Sequence, residues 1–365
     1  MSAVSIEELP IPSSVDDLAR AKGGRVVADF VEMVRLRNAV ETATLGTDAL
    51  SCTAAELLPH YTSPEFEPKI IVVARVDDRI VGRGVLQWSI AAGTTSSWVN
   101  VEVLPEFRSR GLGSTLLAEV ESRALAAARP ILQAEAMHSS ASGGARLPSP
   151  TGFGDLPADD AGVRFLTAHG YRLEQIERCS FLDLPADPSV LNPAFERAAT
   201  MAGPDYRVVS WVGPTPDDRI DDLILLRTRM STDAPMAGLD FDEEPWTKER
   251  IVDNDDTAGA GGRTVLTVAA EYVPTRKLVG FSDLSYSADR TRPAIQQDTL
   301  VLSEHRGHQL GTLLKVANIR AVDAIETAPP LIYTFNAEEN RHMLDVNEAV
   351  GFYPAGKAGC WRKDG

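Results

Sequence analysis

Apolar and polar positions along the 365-residue chain alternate in two recurring ways. Lys69–Val76 and Ile80–Leu86 are two β-rich runs around the polar turn Asp77-Asp-Arg79, the pattern of a hairpin. Ser97–Val103 alternates strictly, with Trp98, Asn100 and Glu102 on one face and Val99, Val101 and Val103 on the other. It runs directly into Pro-Glu-Phe-Arg-Ser-Arg-Gly-Leu-Gly and then a Leu-rich amphipathic stretch. The same order returns later: Arg263–Glu271 and Leu278–Tyr286 form a hairpin-like pair, Ala294–Leu302 a strand, and Ser-Glu-His-Arg-Gly-His-Gln-Leu-Gly a turn before another Leu-rich run. Arg108 and Arg306 stand 198 positions apart, as do Gly113 and Gly311, so the chain reads as a tandem duplication. Phe165–Tyr171 and Val346–Phe352 echo each other as well, but 181 apart, which leaves about 17 extra residues in the first half.

Each strand–turn–helix copy gathers backbone N–H groups and the positive end of a helix into one small space, a physical basis for binding phosphate. The remaining chain fills in around these copies. Residues 1–14 read as a loosely held arm, and Val15 to Ala43 as helix, break, helix, interrupted at Gly23-Gly24. Pro130–Met137 and Arg178–Leu184 read as strands, and the Ser-, Gly- and Pro-rich segment 139–158 as a long loop. Tyr206–Val212 is a strand, Asp217–Met230 an amphipathic helix, and 231–262 a long polar segment with a helix around Trp246–Val252. The expected organisation is a first domain at 15–185, a linker at 186–204 with a short helical piece in it, and a second domain at 205–365.

Composition narrows what such a duplication does. Hydrophobic residues at 44% and charged residues at 24% describe a globular chain with no apolar run near the roughly 18 residues of a membrane span. The start lacks the basic and apolar segments of a signal peptide, so the expected location is cytoplasmic. A formal charge of −16 argues against nucleic acid and toward a cationic small partner. Cys52, Cys179 and Cys360 are odd in number and far apart, which fits neither a disulfide framework nor a metal site. No surface stripe separable from core speaks to oligomeric state.

Arg108-Ser-Arg-Gly111-Leu-Gly113 satisfies R/Q-x-x-G-x-G/A, the signature of the GNAT acetyltransferases, and both halves carry a later helix ending in Gly-aromatic. From about residue 15 onward the chain resembles tandem GNAT proteins of the mycothiol-synthase-like, actinobacterial type. That resemblance implies an α/β fold with a mixed sheet, two tandem acyl-CoA N-acyltransferase domains, and acetyl-CoA as the acyl donor. Carried over by position, it implies cofactor contacts from Val103, Arg108, Ser109, Arg110, Gly111, Leu112, Gly113 and Ser114 in the first half. In the second half the corresponding set is Val301, Arg306, Gly307, His308, Gln309, Leu310, Gly311 and Thr312, with Asn340 on a later helix. Two departures stand out. Gln309 occupies the place of the signature's first Gly, so a positive φ there would strain or reshape the loop. The family's Tyr general acid is replaced by Leu166 and Asn347.

Transfer to an amine needs an oriented acceptor, an oxyanion donor and a proton for the thiolate. Candidates for catalysis are Glu102, Asp298, Thr299 and Asn347, with Asn100 beside them; ordinary exposed polar positions on a sheet are the competing explanation. Asp233 and Trp246 are candidates for holding the acceptor, where a helix cap and a solvated acidic loop are the plainer readings. His305 and His308 flank the second turn, where an imidazole meets phosphate or packs at the helix entry; His138 and His342 are isolated; Tyr333 and Cys360 lie on strands as substitute proton donors, with plain burial the competing explanation. Asn336 and Asn340 favour the second half as the working one. The function expected is acetyl transfer from acetyl-CoA to a small, cationic amine acceptor by direct attack in a ternary complex. The alternative is a silent CoA-binding pair serving as sensor or scaffold.

Overall fold

The computed structural model describes residues 4–19, 24–62, 65–90, 93–138, 144–233, 235–239 and 245–365. Two compact units emerge: Met1–Glu177 with Met236–Phe241 and Gly356–Gly365, and Arg178–Pro235 with Asp242–Ala355. The first holds β1 (Val4–Glu8), α1 (Val15–Ala19), α2 (Arg25–Leu45), α3 (Ala54–Leu57), α4 (Pro59–Thr62), β2 (Lys69–Val76), β3 (Arg79–Gln87), β4 (Ser96–Val103), α5 (Leu112–Ala126), β5 (Ile131–His138), β6 (Arg146–Pro148), β7 (Asp155–Pro157), α6 (Ala161–Ala168) and the start of β8 (Arg172–Asp183). The second holds α7 (Pro188–Ala202), β9 (Tyr206–Val212), α8 (Ile220–Asp233), α9 (Lys248–Ala260), β10 (Arg263–Tyr272), β11 (Lys277–Ser287), β12 (Ala294–Val301), α10 (Leu310–Asp323), β13 (Leu331–Ala337), α11 (Arg341–Ala349) and the start of β14 (Tyr353–Asp364).

Both units use the same plan. In the first, β2, β3 and β4 form an antiparallel meander, α5 crosses over, and β5 returns parallel to β4. In the second, β10, β11 and β12 form the meander, α10 crosses over, and β13 returns parallel to β12. The central strands read as continuous apolar runs because helices cover both faces. In the first unit, one face packs Val72, Val99 and Leu132 against Leu116 and Val120 of α5, and the other packs Ile71, Val73 and Val85 against Phe30 and Met33 of α2. Gly82 and Gly84 let α5 approach β3 closely, since a Cβ on either would lie 2.9 Å from Leu116 or Val120. Leu266, Val268 and Leu284 with Leu313 and Leu314 make the corresponding core of the second unit.

Three organisational expectations need correction. Residues 1–14 are not all a loose arm, because Val4–Glu8 pairs with β2 from Val4↔Val76 to Glu8↔Val72 and Leu9 is buried. Five residues before two prolines give no periodic signal; the strand exists because β2 offers an open edge. The stretch 186–204 is not a linker but α7, capped by Asp187 with Pro188 at its first turn. Its Leu191, Ala194, Ala198 and Ala202 recur at helical spacing and join the second unit's core. Alanine carries little hydrophobic weight, which hid the stripe. The boundary also differs, since the second unit starts at Arg178 and the last ten residues return to the first. There Lys357–Asp364 pairs antiparallel with His138–Ile131 of β5, a pairing across more than 200 residues that no local pattern announces.

The helix, break, helix pattern near the start corresponds to α1 and α2, with residues 20–23 outside the described set. The loop at 139–158 contains the short antiparallel hairpin β6–β7. The helix expected around Trp246–Val252 is α9, which starts at Lys248 and runs to Ala260. Part of the acidic segment before it, 240–244, lies outside the described residues. No helix among the described residues is long and apolar enough to cross a membrane.

Candidate active site

The two turns share one geometry. Arg108 Nε donates to the Val103 carbonyl at 3.0 Å, and Arg306 Nε to the Val301 carbonyl at 3.0 Å, so each arginine clamps the end of the strand that feeds its turn. Both loops then pass through the left-handed region twice, at Ser109 (φ 60°) and Gly111 (φ 82°), and at Gly307 (φ 85°) and Gln309 (φ 54°). Each copy thus spends glycine at one of the two positions and carries a side chain at the other, at a cost of about 1–2 kcal/mol. Gln309 therefore does hold a positive φ: the loop is strained there but not reshaped. Neither α5 nor α10 has a side-chain cap, which leaves the first amides of each helix available to an anion.

The surroundings differ between the copies. At the second turn lies a cavity of about 670 Å³, lined by Arg306, Gly307, Gln309, Leu310, Gly311 and Thr312. Thr299, Val301, Asp233, Arg197, Asn340 and Val346 are among its other walls. A Cβ placed on Gly311 would meet nothing within 4 Å, whereas one on Gly113 would meet Phe165 Cε2 at 3.2 Å. In the 181-residue spacing noted above, Phe165 corresponds to Val346, so the larger ring closes over the first helix start. His169 adds to that closure, its Nε2 lying 3.0 Å from Ser114 Oγ. Beside the cavity, β12 and β13 pair only at Ala294↔Ile332 and Ile295↔Tyr333, and β12 runs on to Val301 unpaired on that side. In the first unit β4 and β5 part after Val99↔Ala134.

These walls suit an acyl-CoA. The amides of Gly307 to Thr312 and the Arg306 guanidinium fit a pyrophosphate, and the parted strands offer backbone groups to an extended arm. Asn340 caps α11 by accepting from Met343 N at 3.3 Å and also lines the cavity. Among the described residues, no group of His, Cys, Asp and Glu could hold a metal.

Several expected site residues turn out to be engaged elsewhere. The His308 ring packs on Tyr206, centroids 5.1 Å apart, and does not line the cavity; the aromatic cluster of Tyr206, Tyr272 and His305 draws it away. Trp246 is not a cavity wall either, being stacked on Arg227 and Arg250 at 5.2 and 4.5 Å. Asp233 does reach the cavity but is ion-paired with Arg306 at 2.5 Å, which places it beside the phosphate turn. Glu102 is ion-paired with buried Arg83. Asp298 is bound by Arg227 at 2.5 Å, its side chain still 38% exposed. Thr299 lines the cavity while its hydroxyl shares a 2.8 Å hydrogen bond with Ser282. Asn347 is buried, accepting from Lys315 Nζ and donating to Asn336 Oδ1, both at 2.6 Å. Val103, Arg110 and Leu112 are accounted for structurally: Val103 and Leu112 are core, and Arg110 stacks on Phe107 at 5.0 Å.

Sequence reading missed Arg227, Asp283 and Lys315. Arg227 bridges Asp283 and Asp298, and burial holds the Asp283 carboxyl above its usual range despite that arginine. Lys315 does leave a trace in the sequence, as a charge set among the Leu and Val positions of α10's buried face. In the first unit, burial pushes Glu41 up to about 7 although Arg37 lies 2.7 Å away. A carboxyl raised by folding favours the native state below pH 4.5 and loses that contribution as pH rises through 7. Glu41→Gln is therefore expected to flatten the decline in stability between pH 5 and 8 by roughly 3 kcal/mol, read by urea denaturation at each pH.

The repeated meander, crossover helix and parallel return strand are those of a tandem GNAT fold. Residues 67–147 match the family model "Acetyltransferase (GNAT) domain". Among solved structures the chain is similar to a tandem GNAT protein from the clavulanic acid biosynthesis pathway, solved without AcCoA, at 24% identity and TM-score 0.71, covering 99% of this chain and 98% of that one. It is also similar to a GCN5-related N-acetyltransferase from Sphaerobacter thermophilus (14% identity, TM-score 0.59, 99% and 95% covered). A third is an acetyltransferase described as putative from Pyrococcus horikoshii (10%, TM-score 0.53, 100% and 90% covered). No curated protein matches the sequence.

Proposed function

We propose that the second unit binds acetyl-CoA at Arg306–Thr312 and passes its acetyl group to the amine of a small, cationic acceptor by direct attack in a ternary complex. The observation that carries this is the cavity at the uncapped start of α10, open above Gly311 and bordered by the parting of β12 and β13. When bound, acetyl-CoA supplies the activated thioester. The turn amides, with Arg306, hold its phosphates, and Asn340 orients the arm from the other wall. The unpaired edge of β12 presents backbone groups where an oxyanion would develop. Asp298, next to the cavity wall residue Thr299 and still 38% exposed beside Arg227, is a carboxylate that would attract an ammonium group, which the overall charge of −16 also favours. The setting in which this chemistry fits is the cytoplasm, without nucleic acid or membrane as partner.

Calorimetry with acetyl-CoA tests the reading. One site is expected, weakened at least tenfold by Arg306→Ala and little changed by Arg108→Ala; equal losses from both would refute a single working unit. A second reading draws on the immobilised Asn347: binding without thiol release on any amine would make the protein a CoA-responsive scaffold.

A further inference from the structure

Lys315 is 1% exposed, and the one hydrogen bond of its amine among the described residues is to Asn347 Oδ1 at 2.6 Å. Asn347 passes the connection on to Asn336 Oδ1 of β13, also at 2.6 Å. The Phe352 ring lies 5.8 Å from Nζ. Lys315 sits one helical turn beyond Gly311 and Thr312, and Asn347 lies between Val346 and Ala349; all four of those neighbours line the cavity. The bond therefore ties α10 to α11 directly behind the two helical walls, and Asn340, the cap of α11, projects into the same space. A buried ammonium with so few partners is costly to fold, and burial alone pushes Lys315 down to about 7. Apolar side chains of the same volume would give a more stable wall, so the pair is better explained by the geometry it imposes.

We infer that Lys315 is a positioning residue of the acyl-CoA cavity, clasping α11 to α10 through Asn347 and so fixing the distance between the phosphate turn and Asn340. This rests on the reading of the cavity as an acyl-CoA site. The test is a double-mutant cycle read by thermal unfolding and by acetyl-CoA calorimetry. At pH 5.5, where Lys315 is protonated in the wild type, Asn347→Leu removes the acceptor of the buried amine and should lower Tm by about 10 °C. Adding Lys315→Met removes that charge and should return Tm to the wild-type value or above. The restored double variant should nevertheless bind acetyl-CoA at least tenfold more weakly. A double variant that binds as wild type would reduce the pair to a structural detail, and an unchanged Tm in Asn347→Leu would overturn the clasp itself. Absence of acetyl-CoA binding by the wild-type protein would instead sink the functional reading, while the Tm cycle still reports on the clasp.

Discussion

Gly311→Leu is expected to remove acetyl-CoA binding while leaving the protein as stable as before or slightly more so, and Gly113→Leu to do the opposite. The two positions are equivalent in the duplication but not in their surroundings. Gly311 lies in the first turn of α10 with nothing within 4 Å of a Cβ, so a leucine would grow into the cavity. Its helical conformation makes the exchange favourable by roughly 0.5–1 kcal/mol. The new side chain would occupy the space above the helix amides, and a loss of at least about 100-fold in affinity, near 2.7 kcal/mol, is the expected result. At Gly113 the added carbons meet Phe165 at 3.2 Å, and overpacking should cost about 1–3 kcal/mol. Thermal unfolding and calorimetry on both variants measure the contrast. Wild-type binding by Gly311→Leu would mean that the second turn is not the cofactor's seat.

Arg227→Met should be the most damaging single change in the second unit. Asp283 is wholly buried, with Arg227 as its charged partner and Thr267 as a side-chain hydrogen-bond partner. Removing the arginine leaves a carboxylate with nothing to balance it, a loss on the order of 3–5 kcal/mol. Burial already raises the Asp283 carboxyl, and without Arg227 it would rise further. A folded-state value above the unfolded one means stability retained at low pH and lost as pH increases. The variant should accordingly lie closer to wild type at pH 5 than at pH 8 in urea titrations. Adding Asp283→Asn should recover most of the loss at pH 8. A variant equally weakened at both pH values would show that Asp283 is not the group left stranded.

The duplication was legible from the chain because each copy is local: strand, Arg-Gly turn and Leu-rich helix lie within about 25 residues. The positive φ at Gln309 could be anticipated from its place in that short-range pattern, whereas Asn340 was singled out only by the resemblance and the arginine clamps emerged only on folding. Trp246 and His308 do not line the cavity. Both stand near the right segments, and their ring partners, Arg227 and Tyr206, approach only through folding. The difference between Phe165 and Val346 could have been read from the 181-residue spacing, but its meaning depends on which atom faces Gly113.

By itself the sequence determined the repeated α/β plan, the two strand–turn–helix copies and the acidic composition, since these depend on periodicity, turn chemistry and net charge. Tertiary structure alone decided which turn opens on a cavity, that the last strand completes the first unit, and that Glu102, Asp298 and Asn347 are held by Arg83, Arg227 and Lys315. Those outcomes rest on side-chain volume, on charge pairs 19 and 71 residues apart in the chain, and on the buried Lys315–Asn347 hydrogen bond. Such pairs form because burial penalises any charge left unmatched, and the penalty exists only once the chain has folded.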